Sequence, residues 1–210
     1  ARLPNHGWII SKRRMELFER VLDFRTRYIA VVLEDIFQSH NASAVLRSCE
    51  CFGIQDVYII ENKNAFRINP DVVMGASKWL NITRYIKKKY NTPDTVNELR
   101  NKGYRIVATT AREGAAPLDD FDITNGKFAL FFGTELTGLT NEMLELADES
   151  IQIPMHGFTD SFNISVSAAI ILHHLTLKLH HSEVNWQLNP DDKDEIMIRW
   201  LKKSIKSIRG

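Results

Sequence analysis

Short apolar runs alternate with amphipathic stretches along most of the chain. Residues 28–33, 56–60, 104–109 and 128–132 are rich in β-branched and aromatic side chains and read as strands buried on both faces. Residues 82–86 and 150–153 are weaker strand candidates. Between them lie helical patterns. Residues 11–27 space Met15, Leu17, Phe18, Val21, Leu22 and Phe24 in a broad apolar stripe, and residues 41–52 align Ala42, Val45, Leu46, Cys49 and Phe52 before Gly53. Residues 93–102, 141–147, 161–180 and 191–208 complete the helices, the last one after a break at Asn189-Pro190. This alternation predicts an α/β fold with a parallel sheet and helices on both faces. Ligands of such sheets sit outside the carboxyl ends of the strands. That rule singles out the loops after Leu33, Thr109 and Phe132, and the loop 154–161.

Composition changes this picture little, whereas charge changes it a good deal. The 210 residues are 44% apolar and 10% aromatic, which suits one domain with terminal extensions. No run approaches the roughly 20 apolar residues of a membrane span, and no apolar leader is visible, so a cytoplasmic protein without a membrane partner is expected. Cys49 and Cys51 are two apart on a helix, and the seven histidines lack ligand spacing, so no metal is expected. The net charge of +1 speaks against a basic nucleic-acid binder. The distribution does not: residues 1–28 and 193–210 hold 13 bases against 5 acids, and the rest holds 14 against 21. Basic ends on an acidic body suit a polyanionic partner.

Three segments carry candidate chemistry. Residues 132–139, Phe-Gly-Thr-Glu-Leu-Thr-Gly-Leu, bracket an acid between two glycines directly after a buried strand. This is either a plain strand-to-helix turn or a place where a ligand approaches backbone N–H groups. It has neither the dinucleotide glycine fingerprint nor a P-loop lysine, which excludes a nucleotide-dependent dehydrogenase. Residues 153–155, Ile-Pro-Met, precede Ser161-Phe-Asn-Ile-Ser165; Ser161 or Asn163 either caps the long helix or edges an apolar slot. Residues 41–47 place Asn41 as a helix cap and Arg47 as either a snorkelling arginine or a phosphate-holding one.

In this order and at these separations, the three segments resemble the motifs of the SpoU branch of the SPOUT RNA 2′-O-methyltransferases. The resemblance covers residues 28–180. The basic first helix, the passage 33–41 and Gly75-Ala-Ser-Lys-Trp79 bring it close to the enzymes that modify the D-loop guanosine at position 18 of tRNA. A ribosomal-RNA enzyme of the same branch and a catalytically silent RNA-binding module are the alternatives. The resemblance implies a carboxyl-terminal trefoil knot, against the usual rule for connections. It also implies S-adenosylmethionine as cofactor and a homodimer with the site completed near the subunit interface. Thr109, Gly133, Ile153, Met155 and Phe162 carry over as cofactor contacts. Arg47, Asn41, Glu135 and Asn163 carry over as the catalytic set, with Arg47 positioning first and acting as a base second, because a guanidinium stays protonated in proteins. Lys12, Arg13 and Arg14 become the RNA-holding run. The expected domains are a basic helical extension at 1–27, the methyltransferase domain at 28–182 and a second basic extension at 183–210.

Overall fold

The most apolar runs form the middle of the sheet. The computed structural model describes residues 10–209, with side chains through residue 205. In chain order, with the 3-10 turns left aside, the elements are α1 (Lys12–Leu22), β1 (Ile29–Glu34), α2 (Ser39–Cys51), β2 (Asp56–Ile60), α3 (Pro70–Val73), β3 (Asn81–Tyr85), α4 (Thr92–Asn101), β4 (Arg105–Thr109), β5 (Ala116–Pro117), β6 (Phe128–Phe132), α5 (Asn141–Leu146), β7 (Glu149–Gln152), α6 (Ile164–His180) and α7 (Pro190–Arg209). Seven parallel strands stand in the order β3-β2-β1-β6-β4-β7-β5. Every residue of β1 and β6 is buried, as continuous apolar runs require when helices cover both faces.

Strand alternation divides the core. Ile29, Val31 and Leu33 point to the side of α2 and α6, while Ala30 and Val32 point to the side of α4 and α5. A third cluster joins the two ends of the chain: Phe18 and Leu22 of α1 meet Leu188, Ile196 and Trp200. The rings of Phe18, Trp79 and Trp200 meet edge-on at 5.5–5.7 Å.

The structure corrects several sequence expectations. The first helix stops at Leu22, because Thr26 pairs with Ile54 beside the sheet. Phe24, assigned to the helix stripe, is 59% exposed. Asn41 is not a cap; α2 begins at Ser39, and Asn41 is buried within its first turn. The two-residue β5 lies in a stretch that reads as polar loop.

Arg25 belongs to the basic amino-terminal run, yet it is 1% exposed. It donates to the Ile54 carbonyl at 3.2 Å and to Glu50 at 2.8 Å, with its guanidinium 5.4 Å from the Trp200 ring. Arg25→Ala is expected to lower unfolding free energy by about 3 kcal/mol, measured by chemical denaturation, since it strands a partly buried carboxylate and opens space beside Trp200.

Candidate functional site

A cleft of about 350 Å³ opens at the carboxyl ends of β4, β6 and β7, where the parallel-sheet rule places ligands. Thr109, Gly133, Ile153, Met155 and Phe162, assigned from sequence to the cofactor, all line it. Each loop reaches the cleft for a local reason. Thr109 ends β4 and donates its hydroxyl to the Phe131 carbonyl at 2.7 Å, tying the exits of neighbouring strands together. The loop after β6 folds back on itself. Thr134 and Gly138 exchange two backbone hydrogen bonds of 3.0 Å, and Gly138 takes the left-handed conformation at φ +68°. Gly133 lies so close to the returning chain that a Cβ would meet the Gly138 carbonyl carbon at 2.1 Å. The segment 153–163 forms the far wall and ends where Asn163 caps α6, its side-chain oxygen accepting the Ser165 N–H at 2.8 Å.

A chain of polar side chains runs from Glu135 on the cleft lining to Asn41 and Asn163 behind it. Asn41 Nδ2 donates to Glu135 Oε1 at 2.8 Å, and Asn41 Oδ1 accepts from Asn163 Nδ2 at 3.2 Å. The fold thus joins Asn41 of α2, Glu135 of the hairpin after β6 and Asn163 at the start of α6. Asn41 Nδ2 also donates to Gln38 at 3.0 Å. Gln38 was not a candidate, although it lies in the 33–41 passage that carries the resemblance. Arg112 and Asp160 also line the cleft; the loops that hold them were singled out, but the residues were not.

Arg47 is not in the cleft. It is exposed on α2 and makes no hydrogen bond or ion pair among the described residues. Six residues beyond Asn41 is about 240° around the helix, so the two side chains leave α2 on different sides.

Lys12, Arg13 and Arg14 project from the first turn of α1 and are exposed. Lys12 stands 3.8 Å from Glu16, a solvent-exposed pair of little energetic weight. Much of the remaining terminal charge is matched internally. Arg27 pairs with Asp56, Asp192 and Glu195, Lys193 with Asp23, and Arg199 with Glu195. A larger hollow of about 890 Å³ at the amino ends of the strands is lined by Arg27, Lys102 and Arg199, each paired with an acid, and by Lys127 and Lys203, which lie on the Tyr104 ring and the Lys78 carbonyl.

Among the described residues, no group of three or more His, Cys, Asp or Glu could hold a metal ion, and no helix is long and apolar enough to cross a membrane.

The SpoU rRNA Methylase family matches residues 28–173. A tRNA (guanosine(18)-2′-O)-methyltransferase of Borreliella burgdorferi is 42% identical over 198 residues, covering 94% of this chain and 88% of the relative. The crystal structure of the A. aeolicus TrmH/SpoU tRNA modifying enzyme superposes with a TM-score of 0.82 at 27% identity, covering 92% of this chain and 98% of that one. The SpoU methyltransferase AviRb of Streptomyces viridochromogenes, solved with AdoMet, shares the fold at a TM-score of 0.64 and 24% identity, covering 78% of this chain and 62% of that one.

Proposed function

The chain belongs to the SpoU methylase family, and from that premise we propose that it is a tRNA (guanosine-18) 2′-O-methyltransferase that uses S-adenosylmethionine. The observation that carries this reading is the 42% identity to an enzyme of that name over 94% of this chain, well beyond the 28–173 domain.

The cleft suits the methyl donor. Ile153, Met155 and Phe162 offer apolar surface to a flat ring, and the hairpin after β6 brings backbone within reach of polar edges. When bound, S-adenosylmethionine supplies an activated methyl group with a neutral leaving group. The residues of the chain must then hold the ribose hydroxyl in line and help to remove its proton. The Asn163–Asn41–Glu135 chain holds Glu135 at the cleft, where it would order the pocket for the ribose. Arg47 positions the hydroxyl and its neighbouring phosphate through its planar fork.

Because Arg47 lies outside its own cleft, the reading includes a homodimer in which it serves the partner's site. Support comes from α6: Val166, half-buried Ile170, His173 and Leu177 form a stripe at helical spacing, with exposed Phe162 and Phe24 at its ends. The reading also includes the trefoil knot. Its support is the strand order, in which β6 enters between β1 and β4 and β7 returns to the far side of β4. The extensions 1–27 and 183–210 flank the domain 28–182, and the first nine residues, with Arg2, lie outside the described residues. The cytoplasm, where tRNA is modified, is the proposed location.

The reading is tested by methyl transfer from labelled S-adenosylmethionine to total tRNA and to ribosomal RNA. Label in tRNA alone is expected; label in ribosomal RNA alone would move the enzyme to the other half of the family. RNA holding by the first helix is tested by salt. Replacing Lys12, Arg13 and Arg14 with glutamine should weaken tRNA binding and lower the slope of log K against log salt by about 2. An unchanged slope would remove α1 from the RNA surface.

A further inference from the structure

Glu34 is a carboxylate at the carboxyl end of the central strand β1, and it is 1% exposed. A buried carboxylate is tolerated only when its oxygens are satisfied. Here both are, by two separate elements. Oε1 accepts the Thr92 hydroxyl from the start of α4 at 2.7 Å. Thr140 supplies the rest: its hydroxyl donates to Oε1 at 3.0 Å and its backbone N–H to Oε2 at 3.0 Å. Thr140 directly follows the cleft hairpin 133–139 and is also the cap of α5, its hydroxyl accepting the Met143 N–H at 3.1 Å.

The hairpin is therefore tied to the fold at two points. Its tip is held by Glu135 on Asn41, beside the cleft, and its exit by Thr140 on Glu34, beneath the cleft. Between them the hairpin closes on itself through Thr134, Thr137 and Gly138, Leu139 is buried in the core, and Leu136 at the turn stands free, 98% exposed. Thr140 makes two hydrogen bonds to fully buried Glu34 against the single one between Asn41 and partly exposed Glu135, so the Glu34 tie is the firmer of the two. We infer that Glu34 is a positioning residue that sets the hairpin in its cofactor-receiving shape and thereby controls affinity for the methyl donor, without touching donor or RNA. The inference rests on the methyl-donor reading above.

The two sides of Glu34 make a clean comparison. Glu34→Ala should weaken S-adenosylmethionine binding about tenfold by calorimetry, and it should speed amide hydrogen exchange across 133–140 in the ligand-free protein. Glu34→Gln keeps the shape and an acceptor and should restore most of both. Thr92→Val removes the α4 partner alone; it should lower the melting temperature while leaving donor affinity and hairpin exchange near wild type. Thr140→Val should shift affinity in the direction of Glu34→Ala, and it replaces that variant in the comparison should Glu34→Ala fail to fold. Wild-type affinity and exchange in Glu34→Ala, or an equal loss in Thr92→Val, would overturn the inference and leave Glu34 a general stabiliser. If the wild-type protein takes up no donor, the methyl-donor reading falls, and the exchange comparison still decides whether Glu34 holds the hairpin.

Discussion

Replacing Arg47 with alanine is expected to cut methyl transfer by about 10²–10³-fold while S-adenosylmethionine binding stays at the wild-type level. The loss of transfer follows from the proposed role of Arg47, and the unchanged binding from its place in the structure. Arg47 is exposed and does not line the cleft, so its loss removes nothing that a bound donor would touch. Substitutions at exposed positions of this kind usually change stability by about 0.5 kcal/mol or less, so the variant should fold and melt normally. A lysine there should recover only part of the activity, because a point charge cannot reproduce a planar two-pronged contact with phosphate. Mixing Arg47→Ala with a cleft-disabled variant such as Asn163→Ala should regain activity in heterodimers if the arginine serves its partner's cleft. Retained activity in Arg47→Ala would end its assignment.

The second large effect is expected at Gly133. An alanine Cβ there would stand 2.1 Å from the Gly138 carbonyl carbon and the Leu139 nitrogen, and 2.3 Å from the Gly138 oxygen. These are backbone atoms and cannot swing aside as a side chain can. The hairpin closed by Thr134 and Gly138 must open, and the cleft wall moves with it. Gly133→Ala should therefore cost about 2–4 kcal/mol of stability in chemical denaturation, in the manner of an overpacked core, and should abolish donor binding by calorimetry. An alanine variant that binds and unfolds like the wild type would mean that the hairpin is not closed in solution.

The strands at 57–60 and 128–132 were legible in the sequence because a strand buried on both faces reads as a continuous apolar run. The cleft loops were legible because a parallel sheet fixes which strand ends face ligands. Other features depend on partners far away in the chain. Asn41 resembles a cap locally, but its partner Glu135 lies 94 residues on, and that distant hydrogen bond holds it inside the helix. Glu34 resembles a plain strand end, and its partner Thr140 is 106 residues away. Arg25 counts as surface charge until Trp200 covers it. The basic ends show the same limit: several of their charges are spent on acids of the same chain, while Lys12, Arg13, Arg14, Arg20, Lys202 and Lys203 face outward.

The most direct test of the account uses two otherwise identical tRNAs, one with an ordinary guanosine at position 18 and one with 2′-deoxyguanosine there. Transfer of labelled methyl from S-adenosylmethionine to the first and none to the second is the predicted result, because only the first offers the hydroxyl that the cleft is proposed to methylate. Equal transfer to both would contradict the account and place the methyl group elsewhere on the tRNA.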